Sequence, residues 1–206
     1  ALALGSQQKA AAAQEAGKFK DEIVPFSIAQ KKGDAIVFAS DEFINKKTTA
    51  DVLAGLRPAF DKTGSVTAGN SSQITDGASA MIIASADAAA RYCKRPAWVR
   101  GIDHRMETGI IGARDLTRSP STRVAGEKAG VALGKVDLAE LHAPFSHQEI
   151  ILRRELGLKD SVPVNLSGGA LAGNTMMAAG LDRIGYVATQ IMGGKADRGV
   201  AHATSG

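Results

Sequence analysis

Ser65-Val-Thr-Ala-Gly-Asn-Ser-Ser-Gln-Ile-Thr-Asp-Gly-Ala-Ser-Ala80 is a polar stretch with two spaced glycines that runs directly into apolar sequence. Gly69 and Gly77 permit positive φ and close backbone approach, while Asn70, Ser71, Ser72 and Thr75 crowd hydrogen-bonding groups into a short loop. A loop of this make-up can line a polar ligand. The same residues also describe an ordered turn ahead of a strand.

Downstream of this loop the pattern becomes regular. Strands are expected near Ala80–Ala84, Trp98–Asp103, Leu138–Leu141, Val162–Val164 and Gly199–Ala203. Helices are expected near Asp87–Lys94, Ser121–Ala129, His147–Leu156 and Met176–Ile191. Such alternation implies a layered α/β domain. Upstream, the alanine- and glutamine-rich run Ala3–Lys18 predicts a helix, and Glu22–Ala29 and Ile36–Phe38 predict strands. Between Ser40 and Gly64 the periodicity fades into a long irregular segment, of the kind that in compact proteins is usually functional. A boundary near residue 77 divides an accessory region, 1–77, from the α/β domain, 78–206.

The composition suits a globular protein: 206 residues, 44% hydrophobic and 22% charged. No apolar run approaches the roughly 18 to 20 residues of a membrane helix, and the start of the chain lacks a signal-peptide pattern, which points to a cytoplasmic protein with no membrane partner. Net charge is +4, from 25 basic and 21 acidic residues spread along the chain, and aromatics make up only 4%. Nucleic acid is therefore a poor partner, and an anionic small molecule a better one. The single cysteine, Cys93, excludes an internal disulfide. It closes the predicted helix Asp87–Lys94, a place for a structural thiol more than a nucleophile, although Arg91, Lys94 and Arg95 flank it.

Three further segments end strands or begin helices, where α/β proteins place ligands. In Glu140-Leu-His-Ala-Pro-Phe-Ser-His-Gln-Glu149, His142 and His147 bracket a predicted helix start, where an imidazole can donate a hydrogen bond or move a proton. Their spacing does not suit a metal, and none is expected. In Asn165-Leu-Ser-Gly-Gly-Ala-Leu-Ala-Gly-Asn-Thr-Met-Met-Ala-Ala-Gly180, glycines lead into a small-residue helix. Free N–H groups there could hold an oxyanion or phosphate, or Gly173, Ala178, Ala179 and Gly180 could serve tight packing. Neither the P-loop nor the dinucleotide spacing is present. Finally, Ala201-His-Ala-Thr-Ser-Gly206 enters a motif-like turn and stops, as a chain cut within its domain would.

Taken together, these segments resemble the C-terminal half of a thiolase, the family that makes or cleaves 3-oxoacyl-CoA by Claisen chemistry. Ser6-Gln-Gln-Lys-Ala-Ala-Ala-Ala-Gln14, Lys18-Phe-Lys-Asp-Glu-Ile-Val-Pro25 and Leu56-Arg-Pro-Ala-Phe-Asp-Lys62 fit, in order, the region ahead of the loop motif. The resemblance implies a thiolase-like layered αβα domain with part of a loop domain before about residue 65. It implies coenzyme A as substrate or product, and a homo-oligomer or companion subunit covering the exposed face. Ser72 falls at the serine that the family places beside the pantetheine arm.

The departures from the family pattern bear on chemistry. The Asn-Glu-Ala-Phe motif stands as His142-Ala-Pro-Phe145; thiolases of the sterol-carrier type also carry histidine there. Gly-His-Pro stands as Gly173-Asn-Thr175, which puts Asn174 where a histidine belongs. Cys-x-Gly stands as Thr204-Ser-Gly206, so Thr204 replaces the acid/base cysteine, and Cys93 does not fall at the nucleophile's position. Hydrogen-bond donation to a thioester oxygen is expected to survive through His142 and Asn174, while proton abstraction through Thr204 is expected to be impaired. The leading expectation is an acyl-CoA acyltransferase with an atypical site. The alternatives are a noncatalytic acyl-CoA-binding or scaffold subunit, and a thiolase-fold retro-aldolase using His142 or His147 as base.

Overall fold

In the computed structural model of the chain, which describes residues 1–110, 112–131 and 136–204, the architecture is organised around one buried strand. Leu138–Leu141 (β3) is buried at all four positions. It pairs in parallel with Gly199–His202 (β4), Leu138 opposite Gly199 and Leu141 opposite His202. A parallel bridge between Ala139 and Val164 occupies its other side. Successive side chains of a strand face opposite ways, and both faces of β3 are covered.

Ala139 and Leu141 meet Leu152 and Leu156 of helix α5 (Ser146–Glu155), together with Val162 and Val164. Leu138 meets Val187 of helix α6 (Ala179–Met192) and Ala196. A strand covered by helices on both sides reads as a continuous apolar run, which is why Leu138–Leu141 is legible from sequence. Glu140, on the α6 side, is the polar exception and sits close to the functional residues.

Local chemistry sets the helix ends. The Phe145 N–H at the start of α5 donates to Gln148 Oε1 at 2.9 Å. At its far end Gly157 adopts φ +61, and the Leu158 N–H returns to the Arg153 carbonyl, a turn that needs the left-handed conformation glycine adopts without penalty. Helix α4 (Pro120–Lys128) begins with proline at its first position, where no N–H is missed.

The accessory region contributes helix α1 (Leu2–Glu15), an antiparallel pair β1 (Phe26–Ile28) and β2 (Ile36–Phe38), and a short helix α2 (Ala50–Ala54). Helix α2 lies inside the segment expected to be irregular, and Thr49 caps it by accepting from the Val52 N–H. Helix α1 packs on the loop 165–173. Ser6 donates to the Gly168 carbonyl, Lys9 Nζ donates to the carbonyls of Val164 and Asn165 at 3.2 and 3.1 Å, and Ala10 joins Ala172 and Ile44 in a small core. Gly168 has φ +93, and a Cβ there would lie 2.7 Å from the Ala172 Cβ, so only glycine lets the loop close against α1.

Two sequence expectations fail. Ala80–Ala84 and Trp98–Asp103 form no strand, and Ile82 and Ile83 are 95% and 84% exposed. Their apolar, β-type sequence records a preference, but a strand exists only through a ladder with a neighbour. Neither segment has such a neighbour among the described residues. The helix between them does form, as α3 (Ala86–Tyr92), with Ser85 as its cap. Val162–Val164 is reduced to the single bridge to β3, and Met176–Ile191 begins with a tight turn, Met176–Ala178, before α6.

Candidate active site

His142 follows β3 directly. Its N–H extends the ladder by donating to the His202 carbonyl at 3.0 Å, and its side chain is buried. Asn174 is also buried and arrives from the opposite loop, 32 residues away. The Asn174 Oδ1 accepts the Met176 N–H at 3.3 Å, and Nδ2 donates to Ser72 Oγ at 3.0 Å. These two bonds fix the amide orientation. His142 Nε2, 3.0 Å from the same Oδ1, must therefore carry a proton and donate it.

The other ring nitrogen, Nδ1, lies 3.1 Å from the Thr204 carbonyl and 3.4 Å from Thr204 Oγ1. A neutral ring accepts there from the Thr204 hydroxyl; a protonated ring donates to the carbonyl. Residues 204, 142, 174 and 72 thus form one hydrogen-bonded file. At its far end the Ser72 hydroxyl accepts from Asn174, while its own proton has no acceptor among the described side chains. Neighbouring dipoles in such a file polarise one another. The residues equivalent to the rest of the last motif, Ser205 and Gly206, lie outside the described residues.

The loop bearing Ser72 is laced to both partners. The Ser72 N–H donates to the Pro144 carbonyl at 2.8 Å and the Thr75 N–H to the Asn174 carbonyl at 3.0 Å. Ser71 bridges Phe145, and Gln73 Nε2 donates to the Ala172 carbonyl at 2.7 Å. Gly77 packs so closely that a Cβ would fall 2.3 Å from Thr175 Cγ2. This stretch is the clamp that brings the segments of the site together.

Beside it opens a largely apolar cleft of about 310 Å³, lined by Phe60, Val66, Leu116, Phe145, His147 and Gln148. His147 stacks on Phe145, with ring centroids 5.7 Å apart, and stands at the cleft rather than in the polar file. Cys93, at the end of α3, takes no part in the file. Of the two readings of the glycine-rich loop, packing is the better supported at Gly180, where a Cβ would touch Ala203 at 3.4 Å, and at buried Ala179. A Cβ on Gly173 would meet nothing. Among the described residues no three His, Cys, Asp or Glu side chains gather as a metal site would need, and no described helix is long and apolar enough to cross a membrane.

Sequence reasoning missed three buried polar residues here: Glu140, Arg183 and His202. Burial raises the Glu140 carboxyl above its usual range, opposed by hydrogen bonds from Ser167 and by the charges of Arg183 and Lys9. Burial, and then the nearby His142, pushes the His202 imidazole down to about 4. Its Nε2 lies 3.3 Å from Thr122 Oγ1 and its Nδ1 is buried without a partner.

Unfolded, His202 takes its proton near 6.5; folded, it does so only near 4. Between those values the unfolded state holds more protons, so stability is full above pH 6.5 and is lost as pH falls through this window, by on the order of 3 kcal/mol in all. Urea melts at pH 7 and pH 4.5 should show His202→Gln losing less stability on acidification than the wild type. An identical loss in both would contradict the assignment.

Residues 1–87 match the family model described as "Thiolase, N-terminal domain". An acetyl-CoA acetyltransferase of Chromobacterium violaceum is 45% identical over 183 residues, covering 87% of this chain and 46% of that protein. The chain is a thiolase homologue. A beta-ketoadipyl-CoA thiolase of Pseudomonas putida is 44% identical over 176 residues, covering 84% of this chain and 43% of that protein. The crystal structure of the Bacillus anthracis acetyl-CoA acetyltransferase superposes with a TM-score of 0.80 at 31% identity, over 99% of this chain and 52% of that one. The α/β fold is therefore the thiolase fold, and the chain spans about half the length of the curated relatives it matches. One expectation is corrected: the chain is not simply the C-terminal half of a thiolase, because its first 87 residues match the N-terminal domain of the family. The helices, loop and glycine motif of that stretch read locally like an appendage to residues 88–204, since α1 and the Ser72 loop pack on that later part of the chain.

Proposed function

We propose that this chain supplies part of the site of a thiolase-type acyltransferase that forms or cleaves a carbon–carbon bond next to a CoA thioester, with residues 1–77 ending its loop domain and 78–206 belonging to its C-terminal layered domain. One observation carries the reading: Ser72, His142, Asn174 and Thr204, drawn from separate segments, form a continuous polar file next to an apolar cleft. The cleft offers an apolar wall to an acyl chain or pantetheine arm. The file offers polarised donors to a carbonyl oxygen that gains negative charge as the thioester reacts. Ser72 is the CoA-contacting residue, and its unused hydroxyl proton is the donor that the ligand meets first.

Thr204 sits where proton transfer would occur, next to an imidazole that can take its proton. An alcohol ionises far less readily than a thiol, so this arrangement suits slow Claisen chemistry. The thiolate needed to accept an acyl group is not Cys93; it comes from polypeptide beyond these residues or from a partner chain. A second copy or a companion subunit would also cover the exposed Ile82, Ile83 and Ile102. A second reading, favoured by threonine at 204, is a noncatalytic subunit that binds acyl-CoA.

Intact-mass analysis of the full-length protein after incubation with acetyl-CoA separates the readings. A cysteine-bound acetyl group with turnover is expected. CoA binding without turnover would favour the binding subunit, and carbon–carbon cleavage indifferent to thiol reagents would favour the retro-aldolase.

A further inference from the structure

Glu140 and His142 lie two positions apart at the end of β3, and so share its α6 face. Glu140 is completely buried and accepts the Ser167 N–H at 3.2 Å and the Ser167 hydroxyl at 2.7 Å. Arg183, on α6 and 5% exposed, reaches the same group: Nη1 lies 3.5 Å from Glu140 Oε2 and 3.2 Å from Ser167 Oγ. Its Nη2 donates at 3.3 Å to the carbonyl of Gly173, the residue before Asn174. One guanidinium therefore grips the strand just before His142 and the loop just before Asn174.

A buried ion pair is weak evidence for stability, because taking two charges out of water offsets most of their attraction. Its best-attested use is fixing one arrangement among several, and a planar guanidinium does this better than an ammonium, since its fork bonds two partners at once in fixed directions. Here the partners are the two segments whose side chains meet at 3.0 Å. Asn174 has little else to hold its backbone: a Cβ at Gly173 would find open space, and the chain turns through positive φ at Met176 soon after.

We infer that Arg183 and Glu140 are positioning residues that hold His142 Nε2 and the Asn174 carboxamide in register, acting through β3 on one side and the Gly173 carbonyl on the other. The part of this inference that concerns turnover rests on the proposed thiolase chemistry; the geometric part does not.

The test is nitrogen-15 NMR of the imidazoles in the full-length protein, following the His142 Nε2–H and its exchange with water, in the wild type and in Arg183→Lys. Lysine keeps the charge but cannot span Glu140 and Gly173 together, so exchange should quicken at least tenfold. In an acyl-transfer assay kcat should fall with KM nearly unchanged. Unaltered His142 exchange in folded Arg183→Lys overturns the inference. If that variant does not fold, Ser167→Ala removes the bridging hydroxyl and leaves both charges in place: a severalfold faster exchange supports the inference, and no change overturns it. A wild type that shows no turnover refutes the proposed reaction alone, because the exchange measurement still decides the positioning role.

Discussion

Replacing Thr204 by cysteine in the full-length protein should raise the rate of 3-oxoacyl-CoA formation and cleavage by roughly 10²-fold, the lower end of what a well-placed general acid/base contributes. The residue is exposed, so the substitution should leave stability within about 0.5 kcal/mol, as surface changes generally do, and any gain in rate reflects chemistry. The threonine oxygen lies 3.4 Å from His142 Nδ1. A thiol there would sit against an imidazole able to hold its proton, the setting in which cysteine ionises most readily. The alcohol has no comparable route to an anion near neutral pH. Steady-state rates with acetyl-CoA and a 3-oxoacyl-CoA, for both proteins, decide the matter. Equal rates would show that position 204 does not carry the proton, and ordinary thiolase rates in the wild type that vanish in Thr204→Ala would show that threonine is already sufficient.

The second large effect is expected at His142. Its Nε2–H is the only side-chain donor to Asn174 Oδ1 among the described residues, and through Asn174 it polarises Ser72. Deleting the imidazole should lower kcat by roughly 10² to 10³, the range for loss of a preorganised donor to a developing oxyanion. KM should change far less, because the apolar cleft remains. Stability should fall by about 1–3 kcal/mol for disturbing a buried hydrogen bond, with the Met176 N–H still on Asn174 Oδ1 keeping the loss toward the smaller figure. His142→Asn should recover part of the rate, since a carboxamide retains an N–H to donate. Kinetics of the two variants beside thermal melts separate the effects: equal losses of kcat in both, tracking stability alone, would point to a purely structural histidine.

How far these residues were legible in the chain depends on where their determinants lie. Leu138–Leu141, α5 and α6 are written locally, in an apolar run covered on both sides and in helices whose ends have their own chemistry at Gln148 and Gly157. Ala80–Ala84 carries the same kind of signal and gives no strand, because pairing depends on a neighbour that the segment does not encode. The site divides in the same way. His142 stands out as a polar residue closing an apolar strand. Asn174 and Ser72, by contrast, were tied to it through resemblance to a family and not through any spacing, since 102 residues separate them. Arg183 and Glu140 left no local mark at all: 43 residues apart, they look like ordinary surface charges on a helix and a strand until the fold buries them against each other. His202 was hidden likewise, its lowered affinity for a proton being a property of burial.

The most direct test of the central claim uses acetyl-CoA labelled with carbon-13 at the thioester carbonyl, bound to the full-length protein and observed by NMR. Donation from the Ser72–Asn174–His142 file predicts a downfield displacement of the bound carbonyl resonance that shrinks in His142→Ala. Binding with a carbonyl resonance unchanged from free acetyl-CoA, or displaced equally in wild type and variant, would contradict it.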